Sequence, residues 1–403
     1  PEVVFDMFYR NNPLDNGYAI VAGLEQMIDY IKELHFSKDD IAYLRSLQIF
    51  EDDFLEYLKD FKFSGDIYSI PEGTVIFPRE PIVKVIAPIM EAQLVETAIL
   101  NIINHQSLIA TKTARVVQAA RGDGIMEFGL RRAQGPDAGI YGARAAMIGG
   151  CIGTSNVLAG QMFDVPVKGT HAHSWIMSFP DEYTAFKKYA ELYPSACILL
   201  VDTYDSIKSG VPNAIRVFAE MREAGIPLTF YGIRLDSGDL AYLSKKARKM
   251  LDAAGFPDAV ISASNDLDEF LIDSLKAQGA TITSWGVGTN LITSKDWPAF
   301  GGVYKLSAVM NDAGEFIPKI KLSENTEKIT NPGNKTIYRI YEKDTGKIKA
   351  DLICLVGETI NPEESLLLFD PAEPWKKTRL HANTYTVKEL LVPIFVKGKC
   401  VYE

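Results

Sequence analysis

Cysteine is scarce and unclustered. The four residues Cys151, Cys197, Cys354 and Cys400 form no CxxC pair and no Cys/His group with zinc spacing. They are expected as reduced thiols, and no residue is assigned as a metal ligand. Long apolar runs are missing too: the longest, Ala196 to Val201, is far below the roughly 18 residues of a membrane span and fits a buried strand. No signal peptide is evident, so a cytoplasmic location without membrane partners is expected. The chain opens at Pro1 into strand-like sequence, which leads us to expect that its natural start lies upstream. Although the net charge is −10, there is no concentrated Lys/Arg block, and nucleic acid is not an expected partner. Repeats and low-complexity segments are absent. Histidine is rare, with five in 403 residues, which gives weight to any two that fall together.

A chain of this length forms two or three domains with a large core. Its first section reads as mixed α/β. A strand-like Val3 to Tyr9 precedes Asn/Pro/Gly turns, Gly23 to Glu33 has helical spacing, and Ser37 with Asp40 resembles a capping box. Short strands are expected at Gly65 to Ile70, Val75 to Phe77 and Ile82 to Ala87, followed by a long helical pattern from Pro88 to Ala120.

From Gly124 to Gly302 short apolar strands alternate with helical stretches, which argues for βα units around a parallel sheet. The strand candidates are Ile125 to Phe128, Val167 to Thr170, Ile198 to Val201, Leu228 to Leu235, Ala259 to Ser262 and Thr281 to Trp285. Their C-terminal ends read GLRRAQ, HAHS, DTYDS, DSGD, SND and GVGTN, all rich in polar or glycine residues. In a (β/α) barrel that edge carries the active site; a doubly wound sheet also binds ligands at strand ends, but six loaded ends favour the barrel. Strand patterns return after Gly302, at Lys305 to Val309, Ile317 to Leu322, Ile337 to Tyr341 and Lys349 to Leu355. The expected architecture is therefore an irregular (β/α) barrel over residues 121–302. Residues 1–120 and 303–403 join as a flanking α+β domain.

The strand ends leave chemical alternatives open. Gly288-Thr289-Asn290 could aim backbone N–H groups at phosphate or be an ordinary βα turn. In Ser264-Asn265-Asp266, Asp266 with Glu269 reads as a helix-capping pair. Arg234 and Asp236, two apart on a strand, share a face and suit a ribosyl diphosphate, or form an internal salt bridge while Ser237 or Asp239 caps the next helix. Arg131-Arg132 could bind carboxylate or phosphate, or be solvated. His171 and His173 could be acid/base groups oriented by Asp202 or Asp205, or exposed loop residues, while zinc would need further ligands.

Taken together, EFGLRRAQGPDAG, GTHAHSW, VDTYDS, IRLDSGDL and GVGTN resemble the nicotinate phosphoribosyltransferase family, over essentially the whole chain. The resemblance implies ATP-coupled synthesis of nicotinate mononucleotide and pyrophosphate from nicotinate and phosphoribosyl diphosphate, with Mg²⁺, in NAD biosynthesis. His173 is then the phosphohistidine, with Asp202, Arg234 and Asp236 as catalytic companions. Phe128, Arg131, Arg132, Thr170, Ser174, Asn265, Gly288 and Thr289 are the implied substrate-binding residues, and His171 is support. The family's T-D-x-Y-x-L-T-M helix, whose tyrosine stacks on the pyridine ring, is expected upstream of Pro1, and the C-terminal end also looks short. A homodimer that completes the site across its interface is implied as well. The GTSN segment at Gly153 to Asn156 has no acid to accept from an amide, which favours nicotinate over nicotinamide. Two rivals are a nicotinamide phosphoribosyltransferase and a non-catalytic phosphoribosyl-ligand binding protein. A Schiff-base aldolase barrel would need a lysine inside a barrel strand, and only Lys168, near one start, comes close.

Overall fold

In a computed structural model the described residues are 1–325 and 328–403. They divide into two compact units, residues 108–298 and residues 1–107 with 299–403. The divisions fall inside the helix Glu96–Ala119 and just before the strand Gly302–Met310, whereas the sequence placed them at 120/121 and 302/303.

The flanking unit is built from both ends of the chain. Its seven-stranded sheet pairs Glu2–Tyr9 antiparallel with Gly302–Met310 on one side and Val83–Pro88 on the other. A buried ion pair ties the early and late segments: Lys335 Nζ lies 2.8 Å from Asp6 Oδ2. The box expected at Ser37 and Asp40 is present, each side chain accepting from the other's backbone N–H. The long helical pattern is interrupted at Val95, giving Ile89–Leu94 and Glu96–Ala119. Late strands at Leu366–Phe369, Lys377–Leu380 and Tyr385–Glu389 are short and read LLLF, KTRL and YTVKE, with little apolar alternation to reveal them.

The other unit carries a parallel sheet of six strands: β1 (Gly124–Glu127), β2 (Gly153–Thr154), β3 (Cys197–Leu200), β4 (Tyr231–Leu235), β5 (Val260–Ala263) and β6 (Ser284–Val287). Their order is β2-β1-β6-β5-β4-β3. That is the sequence of a ring, cut between β2 and β3. The expected strand Val167 to Thr170 would have helped close it. It survives only as one bridge, Val167 to Thr154, since Pro166 supplies no N–H and Gly169 weakens the extended state.

His171 stands at the cut. On β3, Cys197 N and Val201 N donate to Phe230 and Arg234 of the β4 side, so Leu200 N faces the open edge. It donates to His171 Nε2 at 3.3 Å, the imidazole taking the place of a missing strand carbonyl. The ring is buried among Trp175, Phe186 and Tyr189, with centroids 5.3, 6.4 and 4.6 Å away. Burial, aided by the charge of Arg234, lowers its pKa to about 4.

A neutral buried imidazole ties stability to acid. An unfolded histidine protonates near pH 6.5 and the folded one near 4, so its contribution is complete above 6.5 and is lost as pH falls toward 4. The difference is on the order of 3 kcal/mol. In denaturant titrations from pH 7 to 4, His171→Gln is expected to lower stability at neutral pH and to flatten the acid slope by about one proton relative to the parent. Parallel slopes would contradict this account.

Candidate active site

The C-terminal ends of a parallel sheet converge on one edge, and here they surround a cleft of about 630 Å³, within the usual range for small-molecule sites. Phe128, Arg131 and Arg132 reach it from β1, Ser155 from β2, and residues 169–173 from the cut edge. Arg234 and Asp236 come from β4, Ser264 to Asp266 from β5, and Gly286, Gly288 and Thr289 from β6.

His173 opens the short helix His173–Met177 and is about two-fifths exposed. Its Nδ1 is 3.0 Å from Thr203 Oγ1. Its Nε2 faces two carboxylates, Asp236 Oδ2 at 3.4 Å and Asp202 Oδ1 at 3.8 Å. That arrangement assigns the proton to Nε2 and leaves Nδ1 to accept from Thr203. Asp202 is buried beneath the cleft. Its Oδ2 accepts from Asp236 N at 2.9 Å and Ser237 Oγ at 2.6 Å, while its Oδ1 has no hydrogen-bond partner in the protein. Asp205, the other carboxylate considered from sequence, is exposed and caps the following helical turn, accepting from Ile207 N and Lys208 N.

Arg234 and Asp236 do share a face, linked through a hydroxyl. Arg234 Nη1 donates to Ser264 Oγ at 3.0 Å, and Ser264 Oγ donates to Asp236 Oδ1 at 2.5 Å. Arg234 Nη2 donates to the His171 carbonyl at 2.7 Å. Burial lowers the guanidinium pKa, and Asp236 and Asp202 oppose that shift. Asp239, three residues after Asp236, caps the next helix by accepting from Tyr242 N.

The β5 turn departs from the sequence reading. Asp266 is not a helix cap: Asp268 takes that role, accepting from Leu271 N at 2.8 Å. Glu269 instead receives Lys112 Nζ at 2.8 Å and Arg115 Nε at 3.2 Å in a buried ion cluster. Asn265 and Asp266 both adopt left-handed backbone, with φ of 92° and 37°, a strained pair for non-glycine residues. Buried Asn290 holds the turn, donating to the carbonyls of Asp266 and Leu267 at 2.9 and 3.1 Å. Gly288 and Thr289 lead into the single-turn helix Thr289–Ile292 at the cleft wall.

On β1, Phe128 packs over Gly286, where a Cβ would come within 2.6 Å of the phenyl ring. Arg131 and Arg132 are exposed on the 3₁₀ turn Leu130–Arg132. Thr170 lines the cleft; its hydroxyl makes only a long 3.4 Å contact with the His171 carbonyl. Ser174 is exposed on the helix His173–Met177 and is not among the cleft residues. Sequence reasoning gave Glu127 and Thr203 no role and took Asn290 only as part of a possible phosphate turn. Glu127 did leave a signal, an acid inside the apolar strand Ile125 to Phe128. Burial pushes its carboxyl pKa up, against hydrogen bonds from Thr154 and Gly129.

Known proteins resemble this chain along its whole length. Residues 1–104 match the nicotinate phosphoribosyltransferase (NAPRTase) N-terminal domain, residues 124–315 the NAPRTase family and residues 334–403 the nicotinate phosphoribosyltransferase C-terminal domain. Nicotinate phosphoribosyltransferase of Bacillus subtilis is 50% identical over 402 residues, covering 100% of this chain and 81% of that protein. The crystal structure of human nicotinic acid phosphoribosyltransferase aligns with a TM-score of 0.85 at 28% identity, over 100% of this chain and 86% of the other. Nicotinate-nucleotide pyrophosphorylase from Pyrococcus furiosus shares the fold, with a TM-score of 0.73 at 22% identity, over 100% and 85% of the two chains. Domain matches in family order, with half the residues of this chain identical in the Bacillus protein, show that the chain belongs to the nicotinate phosphoribosyltransferase family.

Proposed function

We propose that the cleft joins nicotinate to phosphoribosyl diphosphate, giving nicotinate mononucleotide and pyrophosphate for NAD biosynthesis, with ATP consumed through phosphorylation of His173. The observation that carries the reading is the convergence of His173, Arg234 and Asp236 on one cleft in a member of this family. Loss of pyrophosphate leaves an oxocarbenium-like ribosyl centre, so catalysis rests on placement and electrostatics.

Arg234, held by Ser264 and the His171 carbonyl, offers a fixed cation to the nicotinate carboxylate. Arg131 and Arg132 face the cleft as further cations, and Thr170, Asn265, Gly288 and Thr289 add polar contacts for ribose and phosphate. The carboxylates of Asp202 and Asp236 face Nε2 of the imidazole, so His173 Nδ1, once released by Thr203, is the nitrogen with a lone pair to take the γ-phosphoryl group as ADP leaves. The added negative charge and acceptors would then tighten the phosphoribosyl diphosphate site.

The residues present fit Mg²⁺ as a substrate-borne ion. Among the described residues no group of three or more His, Cys, Asp or Glu could hold a metal by itself, but Asp202 Oδ1 is buried without a protein partner beside Asp236. One or two carboxylates with substrate phosphates form a common magnesium environment. Bound there, the ion would offset charge on the departing pyrophosphate.

A homodimer belongs to the same proposal. Val157, Leu158, Met162 and Val167 expose apolar side chains, at 69, 49, 48 and 47%, on and beside the helix Val157–Phe163, a surface suited to a second copy. Sedimentation is expected to give twice the chain mass, and a monomer at micromolar concentration would remove this part.

Parallel assays with nicotinate, nicotinamide and quinolinate are expected to show turnover with nicotinate; turnover confined to nicotinamide, or phosphoribosyl diphosphate binding without pyrophosphate release, would reject the reading. Labelled ATP is expected to leave acid-labile, base-stable phosphate on the protein, and His173→Asn to abolish it. Equal labelling of both would refute the role of His173. Asp202→Asn is expected to lower kcat/KM on the order of 100-fold, with little change in thermal stability.

A further inference from the structure

We propose that Glu127 is a positioning residue of this reaction, pinning the turn that carries Phe128, Arg131 and Arg132 to the turn that carries Ser155. The inference rests on the reaction assigned above.

Glu127 is the last residue of β1, flanked by β2 and β6, and it is fully buried. Its Oε1 accepts from Gly129 N, the first turn of chain beyond Phe128. Its Oε2 accepts from Thr154 Oγ1 at 2.6 Å, and that hydroxyl in turn accepts from Asn156 N at 3.1 Å. The Glu127 carbonyl takes a third bond, from Ser155 N at 3.0 Å. One residue thus reaches two cleft-lining turns on adjacent strands. Gly129 is adapted to the contact: a Cβ there would stand 2.9 Å from Glu127 Oε1 and 2.6 Å from Ile292 Cγ2.

Structural support alone is a poor reason to keep an acid here. Among the described residues no lysine, arginine or histidine forms an ion pair with Glu127, and a buried carboxylate without a cation is costly. What the carboxylate provides is two acceptors on one rigid plane, each facing a donor. A glutamine offers one acceptor and one donor. It must give up either Gly129 N–H or the arrangement in which Thr154 both donates to residue 127 and accepts from Asn156.

A displacement of about 1 Å at a reacting centre costs on the order of 100-fold in rate. Glu127→Gln is therefore expected to lower kcat/KM for nicotinate by about tenfold to 100-fold while the melting temperature stays close to the parent. Thr154→Val should cause a smaller loss in the same direction, and Thr154→Ser, which keeps the hydroxyl, should restore turnover. The Glu127→Gln/Thr154→Val pair should lose less than the sum of the two single losses, because the two side chains share a contact. Hydrogen exchange should rise in the segment 128–132 of Glu127→Gln and not in the helix Leu240–Ala253.

Parental kcat/KM in both single variants overturns the inference, as does additive loss in the pair or a Thr154→Ser protein as impaired as Thr154→Val. Should Glu127→Gln not fold, the two Thr154 variants decide the question by the same criteria. The unsubstituted chain is assayed first. Its failure to turn over nicotinate overturns the assigned reaction and this role with it; an active parent with unaffected variants overturns the role of Glu127 alone.

Discussion

The catalytic unit depends on how its sheet fails to close. Between β2 and β3 the ring has no complete strand, and the edge of β3 would present a bare N–H row to solvent or to another chain. His171 closes that gap with two atoms of different kinds. Its side chain accepts from Leu200, and its carbonyl accepts from Arg234. A complete strand would have satisfied Leu200 equally well, but it would have pulled residues 169–173 into regular pairing. The irregular closure leaves that segment free to turn at the strand end, so that His173 begins a helix facing Asp202 and Asp236. Backbone satisfaction and site geometry are thus one problem with one solution.

That solution has a cost in unsatisfied groups. His171 Nδ1, Arg234 Nε and Asp202 Oδ1 are all buried without a protein partner, and all lie in or behind the cleft. Native interiors leave few polar atoms in this state, and each lost bond costs about 1–3 kcal/mol. Asn265 and Asp266 add backbone strain on the adjoining strand end. Part of the unit's strain and unmet hydrogen bonding thus falls on residues proposed to serve the reaction. Elsewhere in the unit Lys112 and Arg115 meet Glu269, and Lys276 and Trp285 meet Asp123, while single buried atoms of Thr113, Asn156, Glu182, Thr281 and Ser294 also lack a partner.

The legible part of the sequence was the part governed by periodicity. Alternating βα segments fixed the number of units, and five of the six strand candidates appear within a few residues of their expected places. What periodicity could not supply was register and closure. Val167 to Thr170 looks extended in isolation, yet a strand exists only where a neighbour pairs with it, and β3 does not. The turn at Asn265 failed for a related reason. Both Asp266 and Asp268 are chemically suited to cap a helix, and the choice between them depends on Asn290, whose contact lies far along the chain. Glu127 was visible as an anomaly, an acid in an apolar strand. Its meaning required Gly129 and Thr154 to be brought together by folding.

Net charge is a poor guide to this site for the same spatial reason. The chain carries −10 overall, yet three arginines line a cleft proposed to take a carboxylate and a diphosphate. At physiological salt, fields from exposed charges decay over about 8 Å, so distant surface acids are largely screened from the cleft. Arg234 is largely buried, so dissolved ions screen it little, although Asp236 at 3.7 Å offsets part of its field. Arg131 and Arg132 are exposed and screened. Salt should therefore weaken the contribution of the β1 arginines while leaving that of Arg234 nearly intact. For the proposed reaction, contacts to Arg131 and Arg132 are then the salt-sensitive ones and the contact to Arg234 the insensitive one. An acidic protein can then hold a polyanionic substrate because the charges nearest the cleft outweigh the distant, screened ones.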